Sequence, residues 1–144
     1  MTAKEFLRNL RKTEIEIRAL RMQIEKLRSE AEGVKAMTLS DMPKGGKSRG
    51  TEDAIADIVD LQALCAGKLE TLVQDRHDAM TVIMCIERTE LRTVLTLYYC
   101  DGQSWDEVAE ETGYSVRQVL RLHGEALIEF AAKAKDVTKC HLDL

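Results

Sequence analysis

The sequence predicts an all-α protein, and three observations carry that expectation. Apolar residues recur at helical spacing from Phe6 to Leu127. The single proline, Pro43, falls in a glycine-rich, charged segment and not inside a periodic run. Two capping-box patterns, Ser104-Trp105-Asp106-Glu107 and Ser115-Val116-Arg117-Gln118, begin eleven residues apart. Each sets a hydroxyl acceptor three residues ahead of Glu or Gln, so that the side chains can satisfy the free N–H groups of a helix's first turn. The expected architecture is a long antiparallel, coiled-coil-like helical hairpin over residues 1–86, followed by a module of short helices over 87–132. Residues 133–144 read as a polar C-terminal tail.

The first helix is written by Phe6, Leu10, Thr13, Ile17, Leu20, Ile24, Leu27, Ala31 and Val34, an unbroken 4-3-4-3 spacing. That is a heptad seam over four repeats, on a helix of roughly 30 residues and about 45 Å. The segment from about 35 to 50 is a turn-rich loop containing Pro43, Gly45, Gly46 and Gly50. Thr51, followed by Glu52 and Asp53, reads as the next N-cap, with acids placed favourably in the first turn. The second seam runs Ile55, Ile58, Gln62, Cys65, Leu69, Leu72, Arg76, Ala79, Ile83 and Ile86. Its polar members, Gln62 and Arg76, are of the kind that fixes register. Ile15, Met22, Val59, Val73 and Met80 are apolar but fall off both seams. They point to packing on the C-terminal module or on a second copy, because a two-helix seam alone buries little, so a homo-oligomer is expected.

In the C-terminal module the two starts at Ser104 and Ser115 leave room for one short helix, a tight turn and a second helix. Gly113 can take the positive φ of that turn, and Ala109 is small where the helices would cross. Val108, Val119 and Leu122 point into the shared core, and Trp105 covers it beside Tyr98 or Tyr99. This is a helix-turn-helix, a unit that most often lays its second helix in the major groove of double-stranded DNA. Arg117 and Arg121, four apart, share a face, while Val116, Val119 and Leu122 claim the other. Arg can bond guanine O6 and N7 bidentately and Gln can do likewise to adenine, so Arg117, Gln118 and Arg121 are the candidate base readers. Ser115 caps the helix and can also touch a phosphate. In the loop, Lys44, Lys47 and Arg49 are further candidates for phosphate contact.

The module resembles region 4 of bacterial sigma factors and the small phage or prophage transcription regulators built on it. The resemblance spans residues 92 to 127 and is carried by Arg92, Val94, Leu95, Leu97 and Tyr99, then Gly102, Ser104, Trp105, Glu107, Val108 and Ala109, then Gly113 and Ser115, ending at Ala126 and Leu127. The string Val116-Arg117-Gln118-Val119 looks like a family motif but falls one helical turn too early. Aligned on Gly113, the matching apolar pair is Val119 and Leu122. The resemblance thus implies that Arg117, Gln118 and Arg121 occupy base-reading positions and that host RNA polymerase is a partner. The chain departs from the pattern where Tyr98 replaces an Arg. It departs again where His123, Glu125 and Glu129 stand in place of basic residues at the end of the recognition helix. It also lacks room for the parts that melt promoter DNA.

Charge is distributed unevenly around a net of −4. Residues 1–50 carry twelve Lys/Arg against seven Asp/Glu, residues 51–86 two against seven, and residues 87–144 seven against eleven. Nonspecific attraction of the C-terminal module for DNA is therefore weak by itself. Cys65, Cys85, Cys100 and Cys140 share no C-x-x-C spacing and read as reduced, mostly buried thiols. His77, His123 and His141 stand at no metal-binding spacing, so no metal and no cofactor are expected. Gly46-Lys47-Ser48 resembles the end of a Walker A loop, but Asp41 stands where its first Gly belongs and no strand precedes it. No local Ser/His/Asp or Cys/His arrangement supports catalysis, and no enzyme is expected. No apolar run reaches the length of a membrane span, and the first residues lack a signal peptide's apolar core, so the expected location is cytoplasmic.

The function expected from these features is sequence-specific binding of double-stranded DNA by a phage or prophage transcription regulator acting with host RNA polymerase. Two alternatives stay open: a packaging or assembly adaptor resembling a small terminase subunit, and a polymerase-interacting module that does not bind DNA.

Overall fold

The structure, a computed structural model, describes the backbone of residues 1–38 and 49–142 and the side chains of residues 1–33 and 52–137. Among the described residues the chain is all-α, as its periodicity predicts. The described residues form five α-helices and one π-helical turn, and no strand. The helices are α1 (Ala3–Thr38), α2 (Arg49–Ile83), α3 (Thr89–Leu95), α4 (Trp105–Thr112) and α5 (Val116–Leu142), with the π turn at Thr96–Cys100. None of the described helices is long and apolar enough to cross a membrane. The chain divides into two compact units, one of Met1–Ile15 with Thr71–Leu144 and one of Glu16–Glu70.

Thr2 and Glu5 start α1 with a reciprocal pair of bonds. The Thr2 N–H donates to Glu5 Oε2 (2.7 Å), and the Glu5 N–H donates to Thr2 Oγ1 (3.2 Å). The Thr2 backbone bond also holds the Glu5 carboxyl below its ordinary pKa. Along α1 every described seam position turns inward: Leu10, Ile17 and Ile24 are buried, and Phe6, Thr13, Leu20, Leu27 and Ala31 are half-buried. The helix α2 begins at Arg49, which leaves Thr51 inside it and not at its N-cap. A cap pattern places a helix start only to within a residue or two.

On α2 the buried stripe drifts. Cys65, Leu72, Ala79 and Ile83 are buried, yet Ile55 and Gln62 of the proposed seam face outward while Ala54, Leu61 and the Lys68 stem turn partly in. A straight helix of 3.6 residues per turn rotates about 20° per heptad against a strict seven-residue repeat. Over the length of α2 that rotation moves the seam by about one position. In the Glu16–Glu70 unit, Lys68 Nζ meets Glu16 Oε2 at 2.8 Å. Met22, Val59 and Leu64 of that unit are more than half exposed and Ile55 nearly so.

In the other unit, Arg76 replaces an apolar seam residue with a cross-tie. Its Nη2 donates to Glu14 Oε2 (2.6 Å) and to the carbonyl of Cys100 (3.2 Å), joining α1, α2 and the π turn. Met80, off the seam in sequence, packs its sulfur against Thr96 and Cys100. The π turn closes with the Asp101 N–H donating to the Thr96 carbonyl at 3.0 Å, five residues back. Its extra residue per turn has a consequence for burial. Leu91, Val94 and Leu95 bury one face of α3, and an uninterrupted α-helix would bury Tyr98 next. Instead Tyr99 and Cys100 are buried and Tyr98 is left half-buried at the edge. Residues 133–142 continue α5 without a break.

Candidate nucleic-acid interface

The capping box predicted at Ser104 is complete. Ser104 Oγ accepts from the Glu107 N–H (3.2 Å), and Glu107 Oε2 accepts from the Ser104 N–H (2.8 Å). Helix α4 lasts eight residues and ends on Gly113 at φ 77°, in the left-handed region where a Cβ is costly. The Gly113 N–H closes the last turn on the Ala109 carbonyl at 2.9 Å. Ser115 then caps α5, its Oγ accepting from the Gln118 N–H at 3.2 Å. Val108, Ala109, Val119, Leu122, Ala126 and Phe130 are buried where α4 and α5 pack with α3.

With that face of α5 occupied, its opposite face is open. Arg117, Gln118, Arg121 and Ile128 are exposed along it, and the space over Gly124 is empty. The structure therefore gathers Ser115, Arg117, Gln118 and Arg121 within the first two turns of one helix. It does not bring the loop candidates to them: Lys44 and Lys47 lie outside the described residues, as does the side chain of Arg49, whose backbone begins α2.

The other cations of residues 87–132 have partners within the chain. Arg88 Nη1 meets Glu125 Oε2 at 2.6 Å, and its Nε is 4.0 Å from Glu90. Arg92 donates to the carbonyls of Ile86 (2.6 Å) and Glu87 (3.0 Å) and to Thr89 Oγ1 (3.1 Å). Such bonds satisfy carbonyls left open where α2 ends and α3 begins. Among the described residues, Arg117 and Arg121 are thus the exposed cations of this stretch that no carboxylate pairs with.

One flank of α5 carries an aromatic cluster that sequence reading assembled only in part. Tyr98 stacks on Trp105 with ring centroids 3.6 Å apart and planes within 6°. The Arg11 guanidinium lies 4.0 Å over the Tyr98 ring and donates to the Tyr98 carbonyl at 3.1 Å. Tyr99 Oη and His123 Nε2 share a hydrogen bond of 2.7 Å. Burial, reinforced by Lys4 and Arg8, pushes the His123 pKa down to about 4, so its imidazole is neutral near pH 7. Burial likewise raises Tyr99 to about 12 and Cys100 to about 11. These are structural groups held in their neutral forms. The contribution of α1 to this cluster has one signal in the sequence, the Thr2-x-x-Glu5 pattern that starts the helix early enough to present Lys4, Arg8 and Arg11 on consecutive turns.

Among known proteins, the chain is 30% identical over 105 residues to the "Putative autolysin regulatory protein ArpU" of Enterococcus hirae. The aligned region covers 71% of this chain and 68% of that protein. The chain belongs to the ArpU family. No family model and no solved structure matches it. Family membership relates this chain to a protein named as a regulator. The ArpU-family chain described here offers, for such a role, an open helix face bearing Arg117, Gln118 and Arg121. Among its described residues there is no group of three or more His, Cys, Asp or Glu side chains that could hold a metal ion.

Proposed function

We propose that this protein is a sequence-specific double-stranded-DNA-binding regulator of transcription, of phage or prophage type, in which α4 and α5 form a helix-turn-helix and α5 enters the major groove. The observation that carries the reading is the division of α5 into two faces. One face is committed to the core through Val119, Leu122 and Ala126, and the other presents Arg117, Gln118 and Arg121 to solvent directly after a capped N-terminus. Base readers need that arrangement, because they must be long, polar, uncommitted and rigidly based. The relation to a protein named as a regulator agrees with it. In this reading the activity is binding and not catalysis. Host RNA polymerase is a partner, and the protein works in the cytoplasm as a homo-oligomer. The exposed Met22, Ile55, Val59 and Leu64 support that last point, since side chains of this size gain most by packing against a second copy.

The test is selection of bound sequences from a random duplex pool, followed by Arg117→Ala and Arg121→Ala. Each variant is expected to lose ~1–3 kcal/mol on the selected site and to relax discrimination at the base it reads. Circular dichroism should stay unchanged, since both side chains are exposed. Unaltered site preference in both variants would remove them from the reader.

A further inference from the structure

The open face of α5 reads bases with two arginines, and two cations are few for holding a duplex whose affinity rests on neutralised phosphates. The acidic residues of α4 (Asp106, Glu107, Glu110 and Glu111) add no attraction of their own. Further positive charge stands in the same compact unit, to which the start of α1 belongs.

Lys4, Arg8 and Arg11 stand at i, i+4 and i+7 on α1, one above another on a single face. Arg11, the innermost, is half-buried and anchored. It lies over the Tyr98 ring and bonds the Tyr98 carbonyl, and Tyr98 is stacked on Trp105, the first residue of α4. This joint fixes the rotation of α1 against the α4–α5 module. Lys4 and Arg8 continue the stripe outward from the joint. Both are exposed, and among the described residues neither has a carboxylate oxygen within 4.0 Å, although the Arg8 charge acts on the neighbouring Glu5 carboxyl. The Tyr98 ring beneath Arg11 and the Trp105 ring stacked on it lie 5.8 and 4.6 Å from the His123 ring, which sets this end of α1 on the His123 flank of α5. The Thr2–Glu5 capping bonds make α1 helical from its first turn, so Lys4 and Arg8 both stand on regular helix.

We infer that Lys4 and Arg8 are a phosphate-contacting ridge on α1, gripping the backbone of the same DNA whose bases α5 reads, with Arg11 as the positioning residue that sets the ridge against the module. This rests on the proposed DNA reading and adds to it a second element and residues that carry affinity without carrying sequence preference.

The experiment titrates the full chain with a selected duplex over a range of salt concentrations. It compares the natural protein with Lys4→Gln/Arg8→Gln and with Lys26→Gln/Arg28→Gln, which removes the same charge from exposed positions in the Glu16–Glu70 unit. The slope of log affinity against log salt should become shallower by roughly 0.9 for each lost phosphate contact, about 2 for the first pair, and stay unchanged for the second. The order of preferred sites should be the same in all three proteins, and Lys4→Arg/Arg8→Lys should keep the natural slope. An unchanged slope and affinity in Lys4→Gln/Arg8→Gln overturns the ridge while leaving the reader on α5 intact. Equal loss in both Gln pairs overturns it too, because it shows a general charge effect. Absence of binding by the natural protein to any selected duplex removes the DNA reading itself, and the ridge with it.

Discussion

His123 shows how much a single side chain depends on surroundings that its sequence position does not announce. In the unfolded chain its imidazole titrates near 6.5, and in the fold burial brings it to about 4. Between those values the unfolded chain holds more protons than the folded one, so stability rises with pH across that window. Stability is therefore fully present above about 6.5 and is lost progressively as pH falls toward 4. Melting temperatures across this range should fall on acidification in the natural protein and less steeply in His123→Gln, whose amide can hydrogen-bond the Tyr99 hydroxyl but cannot titrate. Parallel pH profiles would mean that His123 is not the group responsible. Gly113 is the contrasting case. Its place after a capped eight-residue helix called for a positive φ, and it has one, because the requirement is local to a single turn.

At the scale of elements, the two long helices have an inner and an outer apolar set, and substitution distinguishes them. Ile24 is 8% exposed, whereas Met22, two residues away, is 69% exposed. Ile24→Asp puts an unpaired carboxylate into the apolar seam and should unfold the helices that share it. Met22→Asp should leave the helical circular-dichroism signal intact and lower the mass in solution if Met22 packs against a second copy. Full helicity in Ile24→Asp would show that the seam is solvated. An unaltered mass in Met22→Asp would place any self-association elsewhere. The π turn belongs to this scale as well. It turns Tyr99 and Cys100 inward and leaves Tyr98 at the edge, where it can stack on Trp105 and receive Arg11. Nothing in the run from Thr93 to Cys100 marks one extra residue in a turn, and ordinary helical spacing assigns the inward position to Tyr98.

At the scale of the whole molecule, one compact unit combines residues 1–15 with 71–144. Leu7 and Leu10 of α1 are fully buried within it. A fragment of residues 87–144 therefore lacks both packing partners and the cations at the start of α1. The full chain should bind a duplex with two half-sites at least ~10-fold more tightly than this fragment, with the gap narrowing as salt rises, because joined readers and added phosphate contacts both contribute. Circular dichroism of the fragment separates loss of fold from loss of contact. Equal affinity of the two would show that α1 and α2 serve something other than DNA engagement.

The sequence by itself determined the all-α class, the inward seam of α1, the capping box at Ser104, the turn at Gly113 and the outward position of Arg117, Gln118 and Arg121. Each of these is set by residues within about a turn of one another, so spacing alone encodes them. Tertiary structure decided the rest. Ile55 and Gln62 face outward because a straight helix drifts against a heptad repeat. Arg76 bonds Cys100 across 24 positions, and Arg11 reaches Tyr98 across 87. Which cations lie beside α5 was decided in the same way. Contacts between residues so far apart leave no periodic trace in a chain, because what selects them is the packing of whole helices and not the chemistry of neighbouring residues.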